Sequence, residues 1–147
     1  MVVGARHALE AHGLERVAIV DFDVHHGNGT QDLVWNDKRI CFASTHQMPL
    51  YPGTGAREER GAFGQIVNVP LPPGASGGVF RAGMLSRVLP AVEAHAPEMI
   101  LISAGFDAHE PMLFERMPRP DHDVAEEAEA HGPVSYTHLT LPTILLV

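Results

Sequence analysis

The run Val20-Asp21-Phe22-Asp23-Val24-His25-His26-Gly27 sets two carboxylates and an imidazole at alternate positions just after an apolar stretch. An extended chain alternates faces, so Asp21, Asp23 and His25 point the same way if that conformation continues. Two carboxylates close together at the end of a buried strand repel each other and lose hydration, which is tolerable when a cation or hydrogen-bond donors compensate them. Carboxylate oxygens with one imidazole suit Zn2+, Mn2+ or Fe2+. Much further along, Ile102-Ser103-Ala104-Gly105-Phe106-Asp107 closes a second apolar stretch with another carboxylate, and Gly105 permits a sharp turn there. Asp23, His25 and Asp107 could meet as three ligands with a fourth position left to water, which is the open, catalytic type of site. A metal held this way lowers the pKa of bound water and polarises a carbonyl, so hydrolysis is the expected reaction class.

Each residue also has a plainer reading. Asp21 and Asp23 could cap the helix that follows, and Asp107 could be a turn residue after Gly-Phe. His26 reads as a packing or hydrogen-bonding residue, and His109 as a solvated loop histidine. Gly27-Asn28-Gly29 lacks the Lys-Ser/Thr that a phosphate loop requires. Phe80, Met84, Leu85 and Val88 read as core.

The elements that must position these residues alternate in type. Val2 to Leu14 has helical spacing, with Val3, Ala5, Ala8, Leu9 and His12 on one face and Gly13 as a stop. Arg16 to Asp21, Arg39 to Ser44, Ile66 to Val69 and Met99 to Ser103 read as strands; their short continuous apolar runs suit a sheet buried on both faces. Thr30 to Asn36 suits a short helix. Gly77 to His95 suits a longer one, with Phe80, Met84, Leu85, Val88 and Leu89 at helical spacing. His46 to Gly64, rich in Pro and Gly, reads as a structured loop. The pattern predicts an α/β domain with a mainly parallel sheet, in which ligands bind beyond the carboxyl ends of the strands. From Pro111 onward the character changes, and 111–147 reads as a linker and disordered tail.

At 147 residues the chain has room for one ordinary domain, and an apolar share of 45% fits a globular protein. No apolar run approaches the ~20 residues of a membrane-spanning helix, and the first residues are too short a stretch for a secretory signal. The single cysteine, Cys41, excludes an internal disulfide and suits a cytoplasmic location. A net charge of −8 argues against direct nucleic-acid binding and leaves an excess that a fixed cation would partly offset.

The segment Asp21-Phe22-Asp23-Val24-His25-His26-Gly27-Asn28-Gly29-Thr30-Gln31 resembles the signature of the zinc-dependent histone deacetylase superfamily, which includes acetoin-utilisation proteins and acetylpolyamine amidohydrolases. Further matches follow in order: Phe42-Ala43-Ser44-Thr45-His46, Tyr51-Pro52-Gly53-Thr54-Gly55, Asn68-Val69-Pro70-Leu71 and Ser103-Ala104-Gly105-Phe106-Asp107-Ala108-His109. Asn28 with Thr30-Gln31 is closer to class II and bacterial members. The similarity runs to about Glu110, so 1–110 reads as part of a deacetylase-like catalytic domain and 111–147 as a tail outside the family. Pro133 to Val147 reads as translated non-native sequence.

The resemblance implies an incomplete arginase-like α/β fold, a parallel sheet with flanking helices. It implies Asp23, His25 and Asp107 as zinc ligands, and Asp21 as the buried carboxylate that orients a catalytic histidine. A potassium ion would be held by Asp21, the carbonyls of Asp23 and His25, the Ser44 side chain and the Thr45 carbonyl. Leu50 and Tyr51 would line the channel that admits an acyl-lysine side chain. The family's tandem histidine pair and transition-state tyrosine have no counterpart here: the chain's one His-His is His25-His26, and Tyr136 lacks the Gly-rich context. The implied function is removal of an acetyl or related acyl group from an amine, such as acetyl-lysine in a protein or acetylpolyamine. Rival readings are a binuclear-manganese ureohydrolase, a non-catalytic deacetylase-like binding module, and an unstable fragment that aggregates through uncovered sheet edges.

Overall fold

The computed structural model describes residues 1–105 and the backbone of Thr143–Leu146. Asp107, His109, Tyr136 and nearly all of the 111–147 segment, including the proposed boundary after residue 110, lie outside the described residues.

Helix α1 (Val2–Ala11) leads to strand β1 (Val17–Asp21), and α2 (Asn28–Val34) leads to β2 (Ile40–Gln47). A loop without a helix joins β2 to β3 (Ile66–Leu71). From there α3 (Gly77–Gly83), a π-helical turn (Met84–Val88) and α4 (Leu89–His95) form one continuous rod that leads to β4 (Met99–Ser103). The sheet order is β3-β2-β1-β4-β5, where β5 is Thr143–Leu146. β1 through β4 pair in parallel, as expected, and β5 joins the β4 edge antiparallel.

β1 lies between β2 and β4 and is buried along its whole length, which is why its sequence is continuously apolar rather than alternating. On one face Val17, Ile19, Ile40, Phe42, Ile66 and Leu101 pack against Val2, Ala5, Ala8 and Leu9 of α1 and Val34 of α2. On the other, Ala18, Val20, Cys41, Ala43 and Val69 pack against Val88 and Val92.

Several expectations need correction. α1 buries Val2 rather than Val3, which is 84% exposed, and His12 is exposed at the helix end. Gly13 does stop the helix, with φ of +70°. α2 begins at Asn28, two residues early, and β2 runs on to Gln47 because Thr45 and His46 are buried despite their polarity. β3 runs past Val69 to Leu71 with Pro70 inside it, which is possible because β3 is an edge strand of the described sheet. In the long helix only one row of the apolar stripe meets the sheet. Met84, Val88 and Val92 lie on that row, whereas Leu85 and Leu89 are turned out at 66% and 42% exposure.

Candidate metal centre

Asp21 is the last residue of β1. It is register-paired with Ser44 on one side and Ser103 on the other, so the carboxyl ends of three parallel strands meet around it. Its carboxylate is buried, and Gly27 closes over it: a Cβ there would stand 2.9 Å from Asp21 Oδ2 and 3.3 Å from the Phe42 ring.

Beyond Asp21 the chain leaves the strand conformation, so simple alternation does not align Asp23 and His25 with it. Two side-chain-to-backbone turns do that work instead. The Asp23 N–H donates to Asp21 Oδ1 at 3.1 Å, and the His25 N–H donates to Asp23 Oδ1 at 2.8 Å. The same Asp23 oxygen lies 3.1 Å from His25 Nδ1, which brings a carboxylate and an imidazole together. The ladder also persists locally: the Phe22 N–H donates to the Ser103 carbonyl, and the Gln47 N–H to the Val24 carbonyl.

Gly105, two residues past the end of β4, lies against Asp23. A Cβ on Gly105 would overlap the Asp23 carboxylate and stand 2.6 Å from the Asp23 Cα, so only glycine fits. Asp107 lies two residues beyond, outside the described part. Among the described residues no three His, Cys, Asp or Glu side chains converge on a common point. The donors that are described, one carboxylate and one adjacent imidazole beside a second, buried carboxylate, have the chemistry of an incomplete zinc-type ligand set.

Ser44 is fully buried, and its hydroxyl is 2.9 Å from His46 Nδ1. Thr45 is buried too, and its hydroxyl has no hydrogen-bond partner among the described residues. Leu50 is half-buried, and Tyr51 is 80% exposed on the loop after β2.

A buried polar network behind the site had no assigned role in the sequence reading, apart from His26. His26 Nδ1 is 2.7 Å from Thr54 Oγ1, and its Nε2 is 3.1 Å from Gln31 Oε1. Asn68 donates to that Gln31 oxygen, and Gln31 donates to Glu59 at 2.6 Å. Glu59 also accepts from the N–H groups of Gly55 and Ala56, and His46 Nε2 reaches the Gly55 carbonyl at 3.0 Å. Burial pushes the His26 imidazole below its ordinary value. It also pushes His46 down to about 4, helped by the neighbouring His26. For Glu59 burial acts upward, but the Gln31, Ala56 and Gly55 donors outweigh it and hold the carboxyl below the ordinary range. The signal missed was the spacing of His46, Glu59 and Asn68 around a helix-free crossover; Glu59 within Arg57-Glu58-Glu59-Arg60 looks like ordinary surface charge.

A parallel α/β sheet with two carboxylates clustered at the carboxyl end of its central strand defines a class of strand-end-site proteins. Comparison with known proteins makes this specific. Residues 1–126 match the model of the histone deacetylase domain, and the chain belongs to that family. It is 46% identical over 112 residues to histone deacetylase 10, chloroplastic, of Oryza sativa subsp. japonica, covering 74% of this chain and 25% of that protein. It is 50% identical over 100 residues to a probable deacetylase of Archaeoglobus fulgidus, covering 66% and 28%. The crystal structure of acetylpolyamine aminohydrolase from Burkholderia pseudomallei superposes with a TM-score of 0.69 at 34% identity, covering 74% and 33%. The chain thus spans about a quarter to a third of the length of these relatives.

Proposed function

We propose that the protein is a zinc-dependent deacetylase that hydrolyses the amide of an acetylated amine, with acetyl-lysine or acetylpolyamine as the substrate class. The observation that carries this reading is the Asp23–His25 contact under Gly105, within a family whose relatives include named deacetylases. Asp23 and His25 would hold the zinc with Asp107. Asp107 follows Gly105 by two residues in sequence, and Gly105 lies against Asp23, which supports Asp107 as the third ligand. A zinc ion bound there would supply Lewis acidity to polarise the amide carbonyl and lower the pKa of water.

The chain's own residues orient and enclose. Asp21 fixes the Asp23 backbone through its hydrogen bond and presents a buried carboxylate toward the strand ends. With Ser44 and the carbonyls of Asp23, His25 and Thr45, it would hold a potassium ion. Leu50 and Tyr51 would form the rim that an acyl-lysine side chain crosses. The general base and the oxyanion donor would come from outside these 147 residues, so the chain alone is expected to hydrolyse little or nothing; one lost oxyanion donor costs about 10²–10³ in rate. No helix among the described residues is long and apolar enough to cross a membrane. The buried thiol of Cys41 fits a reducing compartment such as the cytoplasm.

The test is hydrolysis of an acetyl-lysine peptide and an acetylpolyamine by the complete catalytic domain. His25→Ala and Asp107→Asn should each lower kcat/KM by at least about a hundredfold. Unchanged rates in both variants would remove the assignment.

A further inference from the structure

Two strands away from Asp21, at the outer edge of β3, a cleft of about 220 Å3 opens between the 57–64 loop, β3 and the π-helical turn. Its lining includes Arg57, Arg60 and Arg87, and no Asp or Glu. The chain carries a net charge of −8, so three guanidinium groups without a carboxylate run against its average. Other arginines find acidic partners: Arg16 pairs with Glu15, and Arg39 with Asp37 and Glu10. Among the described residues Arg57, Arg60 and Arg87 have no ion pair and no side-chain hydrogen bond. Glu59, which lies between two of them in sequence, is turned inward, with both oxygens taken by Gln31, Gly55 and Ala56.

Three separate devices bring these side chains together. Arg57 sits in a turn closed by the Glu59 N–H on the Ala56 carbonyl. Arg60 opens a loop closed by the Ile66 N–H on its own carbonyl. The Ala62 N–H pins that loop to Trp35, as does the Gln65 side chain. Arg87 is delivered by the π-helical turn, a rare conformation that is frequent at functional sites. The Ser86 hydroxyl is engaged by the Ala82 carbonyl, which leaves the guanidinium forks as the donors.

We propose that this cleft binds a small phosphate-type oxyanion, free or as the phosphoryl group of a small molecule. Guanidinium forks match the oxygens of such a group, and several around one cleft discriminate a multiply charged anion from chloride. The cleft is smaller than the about 300–1,000 Å3 that drug-sized ligands occupy, so a single phosphoryl group fits better than a nucleotide.

The test is calorimetric titration of inorganic phosphate and glycerol phosphate into the full chain in about 0.15 M chloride, where diffuse attraction is screened beyond ~8 Å. We expect saturable binding with a dissociation constant of about 1 mM or tighter, weakened at least about tenfold by Arg60→Gln or Arg87→Gln. Arg81→Gln, at an exposed arginine on the same rod but outside the cleft, should leave binding unchanged. All three side chains of the cleft are exposed, so circular dichroism should show the fold intact in the variants. Tighter binding of glycerol phosphate identifies a phosphorylated metabolite as the ligand, and equal binding identifies the free ion. The proposal is overturned if neither probe saturates, or if the Arg60 and Arg87 variants bind as tightly as the parent chain. A short single-stranded RNA displacing phosphate through the same arginines would overturn it in favour of a nucleic-acid surface.

Discussion

Asp23 is held from three directions. Its N–H is tied to Asp21, its Oδ1 receives the His25 N–H, and Gly105 lies against its Cα and carboxylate. Gly105→Ala must push Asp23 aside, because the added methyl meets backbone rather than the end of a flexible side chain. We expect it to cost about 1–3 kcal/mol in urea unfolding and to weaken zinc binding more than tenfold; an alanine variant that keeps both would show that the approach is looser. His46 gives a pH signature. Its imidazole is held down to about 4 in the fold against an ordinary 6.5, so between these values the unfolded chain binds more protons. Stability should therefore be full above about pH 6.5 and fall as pH drops toward 4, and urea midpoints of the parent against His46→Gln should show a shallower decline in the variant. Equal slopes would mean that His46 does not carry the effect. Asp21, Asp23 and His25 stand out in sequence because two carboxylates and an imidazole follow an unbroken apolar run, and their proposed role as cation ligands starts from that grouping. The extended conformation does not continue past Asp21, and Asx-type turns rather than strand alternation bring Asp23 to His25. Glu59 was illegible because its burial depends on where a long loop folds back.

At the scale of elements, the α3–π–α4 rod meets the sheet along a single row. Val88 is fully buried against Ala18, Ala43 and Val69 and their neighbours, while Leu85 stands 66% exposed. Val88→Ala should cost about 2 kcal/mol, from two lost carbons and the cavity they leave. Leu85→Ala should stay within about 0.5 kcal/mol. Chemical denaturation of the two variants checks this, and equal losses would place the rod in the wrong rotation. Strands β1 and β4 were readable from sequence as unbroken apolar runs; β1 is covered on both faces, as a central parallel strand is, whereas β4 is half-buried except at Leu101. The far end of β2 was not readable. Thr45 and His46 look like loop residues until the network of Gln31, Asn68 and Glu59 comes in from other elements. The rotation of the long helix escaped for a related reason, since five apolar positions allow more than one face and the π-helical turn selects among them.

For the molecule as a whole, the four parallel strands and the histone deacetylase domain match over residues 1–126 support one architecture, with the candidate centre at the carboxyl edge of the sheet. Fold class and family could be read from ordered motifs spread over most of the chain. Geometry at Asp107 could not, because it depends on how the chain turns after Gly105. The most direct test is the metal content of the folded chain after equilibration with zinc and removal of the excess. The account predicts about one zinc per chain, lost in each of Asp23→Asn, His25→Ala and Asp107→Asn while the far-ultraviolet spectrum is retained. A folded chain that takes up no zinc, that carries two manganese ions instead, or that keeps its zinc when Asp107 is replaced would contradict it.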